Sequence, residues 1–209
     1  MPDSSNKPSK SYHHGDLKKA LLDETARTLR EEGEEALSLR GLANRLGVSR
    51  TAPYNHYKSK EGLLCAVAEE GFRRFAAAMD KVEAGKRFKD GRSMMRAYVS
   101  AYIAFARDNP EYYDLMYGRS SWQSQEHTQS LSDAARGTLR DFIERLKRRQ
   151  NKRQIRQDVD VVLFAQLYWG TLHGISRLLL DGVYTKSASV KKLCDGAADM
   201  LWRQLDPGA

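Results

Sequence analysis

The chain has 209 residues, 41% of them apolar, enough for one good-sized hydrophobic core or two modest ones, so disorder is excluded for most of its length. Its formal net charge of +8 favours a polyanionic partner such as nucleic acid, although many basic chains bind nothing anionic. Two cysteines far apart in sequence, Cys65 and Cys194, fit reduced core residues, no apolar run approaches the roughly 18 residues that span a bilayer, and the first residues lack the apolar segment of a signal peptide; a cytoplasmic protein without a membrane partner is expected.

Residues 1–11 are polar and lack an apolar pattern, and they are read as disordered: either a solubilising tail or a basic arm, with Lys7 and Lys10, that follows the minor groove of DNA. A helix is predicted from about His14, with Leu17, Ala20, Leu21, Thr25, Ala26 and Leu29 on its inner face, ending at Gly33. His13 and His14 are adjacent and point to different sides of a helix, and no further ligand lies at a useful spacing, so no metal is expected.

The next stretch carries the most information. Leu39, Leu42, Ala43 and Leu46 fall at i, i+3, i+4 and i+7, one apolar face of a short helix that Ser38 can cap and Gly47 can end in a left-handed turn. Val48 anchors the turn, and Ser49 is placed to cap a second helix reaching His56, whose Arg50, Thr51, Ala52, Tyr54, Asn55 and His56 are mostly hydrogen-bonding groups that a core does not need. Pro53 is tolerated in a first turn. Ser59 caps the next helix, and Lys60 sets a cation against the positive end of that helix, which makes sense if phosphates sit in front of it. This is a helix-turn-helix for DNA.

The run GVSRTAPYNHYKSKEGLL, with LSLRGLANRL before it, closely resembles the DNA-binding signature of the tetracycline-repressor (TetR) family of bacterial transcription regulators. The matching positions are Gly47, Val48 and Ser49, then Tyr54, His56 and Tyr57, then Ser59, Lys60 and Glu61. YHHGDLKKALL at the start of the first helix resembles one subgroup of that family.

Beyond Lys60 the pattern becomes that of long helices. One is predicted over Ser59–Glu83, tying the DNA-binding head to the body, and a loop over Gly85–Gly91. A helix through Met94 to Ala106 ends before Asn109–Pro110, a short one comes next over PEYYDLMYG, and Arg119–Gln129 reads as a polar loop around Trp122. The helix through Leu131 to Leu146 runs into ERLKRRQNKRQIRQ. By the resemblance this basic run is the loop between the seventh and eighth helices, and it reads as a solvated surface. Val159–Leu180 is the most apolar segment and implies burial on two fronts, with Gly170 and Gly174 allowing close approach; Val190–Leu205 is the last helix.

The expected fold is all-α, about nine helices: a disordered arm at 1–11, a three-helix helix-turn-helix domain at 12–60, and a helical ligand-binding and dimerisation domain at 61–209. The expected partners are double-stranded operator DNA, a second copy through the last two helices, and a small-molecule effector. Arg50, Thr51 and Asn55 are the candidates for base edges and Ser38, Tyr54, His56 and Lys60 for phosphates, with Ala52 also counted among the DNA-binding residues. The resemblance implies a ligand pocket, for which Phe72, Tyr98, Tyr102, Met116, Tyr117, Trp122, Trp169 and His173 are the candidate lining; Trp169 and His173 resemble a W-x-H-G-type element of one C-terminal class. No cofactor is expected. The rival readings are a non-specific nucleoid-type DNA binder and an enzyme using His173 as a base with Asp181 or Asp195, for which no nucleophile, phosphate loop or metal spacing is present.

Overall fold

The computed structural model describes residues 14–84, 88–184 and 189–208. The proposed arm at 1–11, His13 and the GKR start of the predicted loop, residues 85–87, lie outside them. Among the described residues all regular structure is helical: α1 (His14–Glu32), α2 (Leu39–Leu46), α3 (Lys60–Ala84), α4 (Gly91–Asp108), α5 (Pro110–Tyr117), α6 (Arg119–Trp122), α7 (Gln129–Asn151), α8 (Val161–Leu180) and α9 (Val190–Leu205), with 3-10 turns at Glu34–Ala36 and Ala52–Asn55. The chain divides into two compact units, one ending at Leu63 and one beginning at Leu64, and α3 runs unbroken through the boundary.

In the first unit, α1 buries Leu17, Leu21, Leu22 and Ala26, and α2 buries Leu39, Leu42 and Ala43. Thr25 and Thr28 are buried as well, and each hydroxyl donates to the carbonyl four residues back, Leu21 and Glu24, so neither is left unsatisfied. Ser38 caps α2 by accepting from the Gly41 N–H at 3.0 Å, and Gly47 ends it with φ 66°, a backbone that only glycine adopts cheaply. Arg45 pairs with Glu32 at 2.6 Å and lies 3.7 Å from Glu24, lashing α2 to α1.

In the second unit, α4 packs against α5, α8 and α9, and α7 against α8. The start of α4 is fixed by a reciprocal cap, the Asp90 carboxylate accepting from the Ser93 N–H and the Ser93 hydroxyl from the Asp90 N–H. Thr128, Asp160 and Ser189 cap α7, α8 and α9 in a one-sided way. Between α7 and α8, Ile155 is buried, and the Arg156 N–H donates to the Leu205 carbonyl at 2.9 Å, fastening that connection to the end of α9.

Three expectations are corrected. The polar loop around Trp122 contains the short helix α6, held because the Trp122 indole N–H donates to the Met116 carbonyl at 2.7 Å. The basic run is helical as far as Asn151, not a loop, and parts of it are internal to the unit. Arg145, half-buried, pairs with Asp80; Arg149 pairs with Glu83 at 2.9 Å and Arg156 with Asp158 at 2.6 Å. The third correction concerns the recognition segment.

Candidate nucleic-acid interface and ligand cavities

The segment expected to form an α-helix from Ser49 to His56 is instead a turn at Arg50–Thr51 followed by a four-residue 3-10 helix, Ala52–Asn55. Pro53 explains this. It has no N–H to give to an α-helical acceptor and disfavours α geometry at Ala52, so the backbone closes through i to i+3 bonds instead: Ala52 N–H to Ser49 O at 3.0 Å, and Tyr54 N–H to Thr51 O at 3.1 Å. Ser49 is therefore not a helix cap, and its hydroxyl lies 3.3 Å from that of Thr51.

The tight turn buries Pro53 and Tyr57 and leaves Ser49, Arg50, Thr51, Tyr54 and Asn55 exposed, with Ala52 and His56 half-buried. Tyr54 keeps 44% of its surface open to water, a large amphipathic group partly free of the core. Ser38 is exposed but its hydroxyl oxygen is used in capping α2. Lys60 is not the unmatched cation that the sequence pattern suggests: its ammonium donates to the Glu34 carbonyl at 2.6 Å and lies 3.8 Å from the Glu34 carboxylate, so the chain itself supplies the matching charge. Arg40 and Lys58 are two further cations of this unit that the sequence pattern does not single out. Both are exposed, without an ion pair among the described residues, and Arg40 stands in the first turn of α2, a cation at the positive helix end.

The candidate ligand residues divide between two cavities and the core. An open groove of about 360 Å³ lies between α3, α5, α6, α7 and α8, and Phe72, Tyr117, Trp122 and Trp169 line it. A narrower cavity of about 30 Å³, room for little more than a water molecule, takes Tyr98, Tyr102 and again Trp169. The Trp169 indole is a wall of both. Met116 and His173 line neither: Met116 is buried against Gly71, where an added Cβ would fall 2.8 Å from its sulfur, and the His173 Nδ1 meets the Tyr113 hydroxyl at 2.9 Å.

A chain of polar groups joins the groove to His173. The Trp169 N–H donates to the Tyr117 hydroxyl at 3.0 Å; that oxygen lies 3.4 Å from Tyr102, which lies 3.3 Å from Tyr113. Burial pushes the Tyr102 and Tyr117 hydroxyls well above the usual phenol range, so they stay protonated, and burial, then the Arg177 charge, pushes the His173 imidazole below its ordinary value. Half-buried His173 stacks on the Tyr113 ring and packs against Tyr117 in this aromatic cluster. Asp181 is held by Arg177 at 2.6 Å and Asp195 by Lys191 at 2.5 Å, which leaves both carboxylates matched to cations.

On α8, Leu163 (53%) and Leu167 (60%) are exposed, in line with Gly170, and on α9 Met200 (50%) is exposed beside Gly196. A Cβ at Gly170, Gly174 or Gly196 would meet nothing within 4 Å, so packing within the chain does not call for glycine there. No helix among the described residues is long and apolar enough to cross a membrane.

Two family models match the chain: one described as bacterial regulatory proteins, tetR family, over residues 21–67, and one described as tetracyclin repressor-like, C-terminal domain, over residues 95–201. The chain is 28% identical over 195 residues to the HTH-type transcriptional repressor AcnR of Corynebacterium diphtheriae, covering 89% of this chain and 86% of the repressor. It is 30% identical over 100 residues to an HTH-type transcriptional regulator of Bacillus subtilis, YobS, covering about half of each. A protein of unknown function from Rhodococcus sp. RHA1 has a similar solved structure, with a TM-score of 0.81 at 31% identity over 94% of this chain and 99% of that one.

Proposed function

The chain belongs to the tetR family of bacterial regulatory proteins, and on that premise we propose that it acts as a homodimer on a palindromic operator under the control of a small molecule. It is a DNA-binding regulator of transcription, a repressor-type protein and not an enzyme. The observation that carries the DNA reading is the turn after Gly47, which holds Arg50, Thr51, Tyr54 and Asn55 in water on one short, proline-stiffened segment. Arg and Asn suit bidentate reading of guanine and adenine, while Ser38, Tyr54, His56 and Lys60, joined by Arg40 and Lys58, are the phosphate-facing set. Residues 12–60 are the DNA-binding domain in this reading and 61–209 the ligand-binding and dimerisation domain. The protein works in the cytoplasm, where its operator is.

A dimer is supported by the exposed stripe on α8 and α9. Helical glycines cost about 1 kcal/mol each relative to alanine, so three that no neighbour in the chain requires, beside exposed Leu163, Leu167 and Met200, suit a face that a second copy covers. The open groove is the ligand site, with Phe72, Tyr117, Trp122 and Trp169 as its walls. Tyr98 and Tyr102 bound the narrower cavity behind the Trp169 indole. An effector changes DNA affinity only by binding better to one arrangement of the molecule than to another, and α3, continuous from one unit into the next, is the element through which it acts.

The test is binding to a selected operator and to random DNA over a range of salt. A regulator prefers its operator by three or more powers of ten, roughly, while a nucleoid-type binder shows one affinity for both. Equal affinities for the two DNAs sink this reading.

A further inference from the structure

We propose that the ligand of the open groove is an amphipathic monocarboxylate, its apolar body against Phe72, Trp122, Leu139 and Trp169 and its carboxylate on Arg136 with the Gln166 amide beside it. This rests on the reading of the groove as a ligand site and goes on to name the chemistry that fits it.

The groove walls are aromatic and aliphatic, and no acidic side chain lines it. Burying such walls is favourable in proportion to their apolar area, which selects for an apolar body without choosing among bodies. Trp122, 40% exposed despite its size, shows how much of that surface is open to water. The choice comes from the rim. Arg136 on α7 is exposed, faces the groove, and has no ion pair among the described residues, whereas Arg92, Arg96, Arg145, Arg149, Arg156 and Arg177 of the same unit are paired. Asp133, the acidic group one turn back on α7, accepts from the Gln129 amide at 2.8 Å instead.

Gln166 on α8 is exposed at the same groove and has an N–H₂ with no protein acceptor among the described residues. Both side chains offer N–H donors to the same groove, and a carboxylate can accept from two such donors with its two oxygens. A neutral amphiphile would cover Arg136 without giving it an acceptor, a cation would be repelled, and a polyanion would bring charges with no further cation lining the groove. The Tyr117 hydroxyl, which accepts from Trp169, lies 3.4 Å from the Tyr102 hydroxyl, so it is part of the buried tyrosine cluster.

The experiment titrates the full-length protein with dodecanoate, dodecanol and dodecylammonium, each below its micellar concentration, following the tryptophan fluorescence that Trp122 and Trp169 report from the groove. Dodecanoate is expected to saturate at one per chain and to bind roughly tenfold or more tightly than the other two, the scale of a hydrogen bond to a charged group. R136Q is expected to remove that advantage and R136K to keep most of it, with unchanged melting of both variants showing that they fold. No saturable change with dodecanoate, equal affinity for the three amphiphiles, or R136Q binding dodecanoate as tightly as the parent overturns the assignment. So does R136Q weakening self-association while leaving dodecanoate binding alone, since the groove would then belong to a second copy. Operator binding is measured in parallel: if dodecanoate binds through Arg136 and DNA affinity does not change, the ligand class stands and the effector role falls.

Discussion

Trp202 occupies the space in which any side chain at Gly91 would stand: a Cβ built on Gly91 falls 1.9 Å from the Trp202 ring. This is a close approach between α4 and α9, the most extensively packed pair of helices in the second unit. G91A is therefore expected to destabilise the protein by about 1–3 kcal/mol through overpacking, although alanine is the better helix former, and W202A by about 3–5 kcal/mol through the cavity it leaves. Urea unfolding followed by circular dichroism measures both, and a G91A protein as stable as the parent would refute the close packing.

Acid should loosen the same pair of helices. Asp199 on α9 accepts from Arg92 at 2.7 Å and lies 3.2 Å from Arg96; the Arg92 hydrogen bond, ahead of the charges of both arginines, holds its carboxyl down at about 2. A carboxyl lower in the folded than in the unfolded chain stabilises the fold above its unfolded value, near 3.8, and that contribution fades as pH falls towards about 2. Thermal melting between pH 4 and 2 should thus fall more steeply for the parent than for D199N. Parallel slopes would show that the pair carries no such linkage.

For the recognition segment, N55A should lose about 1–3 kcal/mol of affinity for the selected operator and little for random DNA, whereas R40A and K58A should weaken both alike and lower the salt slope. Fluorescence anisotropy over a salt series separates the two behaviours. K60A has a second effect: it takes a partner from the Glu34 carbonyl, so its melting temperature should fall along with its DNA affinity. Unchanged melting would assign Lys60 to DNA alone.

Leu167, 60% exposed, has no packing duty within one chain. L167E should leave circular dichroism and melting of the isolated chain intact while converting a dimer to a monomer in sedimentation equilibrium, and operator binding should weaken with it. A dimer that survives L167E and a similar change at Met200 would move the interface elsewhere.

Features set by near neighbours are legible in the sequence, and features set by distant ones are not. The Ser38 cap, the left-handed Gly47 and the span Val190–Leu205 depend on residues within a turn or two, and the structure has all three. Lys60 reads as unmatched because its partner, Glu34, lies 26 positions away, and the basic run reads as solvated because Asp80 and Glu83 lie 65 and 66 positions from Arg145 and Arg149. Periodicity marks Phe72, Met116 and Trp169 alike as inward-facing; only packing shows that Met116 fills the space over Gly71 while Phe72 and Trp169 border open volume. Pro53 is compatible with the first turn of an α-helix, and its residue type alone does not choose between that and the tighter 3-10 closure the segment adopts.

That closure limits how much text one chain can read. At about 2.0 Å of rise per residue, Ala52–Asn55 extends roughly 8 Å and the segment from Arg50 roughly 12 Å, and with base pairs spaced about 3.4 Å along the duplex it spans roughly three of them. A word of three letters recurs by chance about once in 64 positions, far too often to single out one promoter among ~10⁶–10⁹ competing sites. Only the joining of words at a fixed spacing makes the address rare, so in the proposed dimer the vocabulary is in the turn and the grammar is in the assembly.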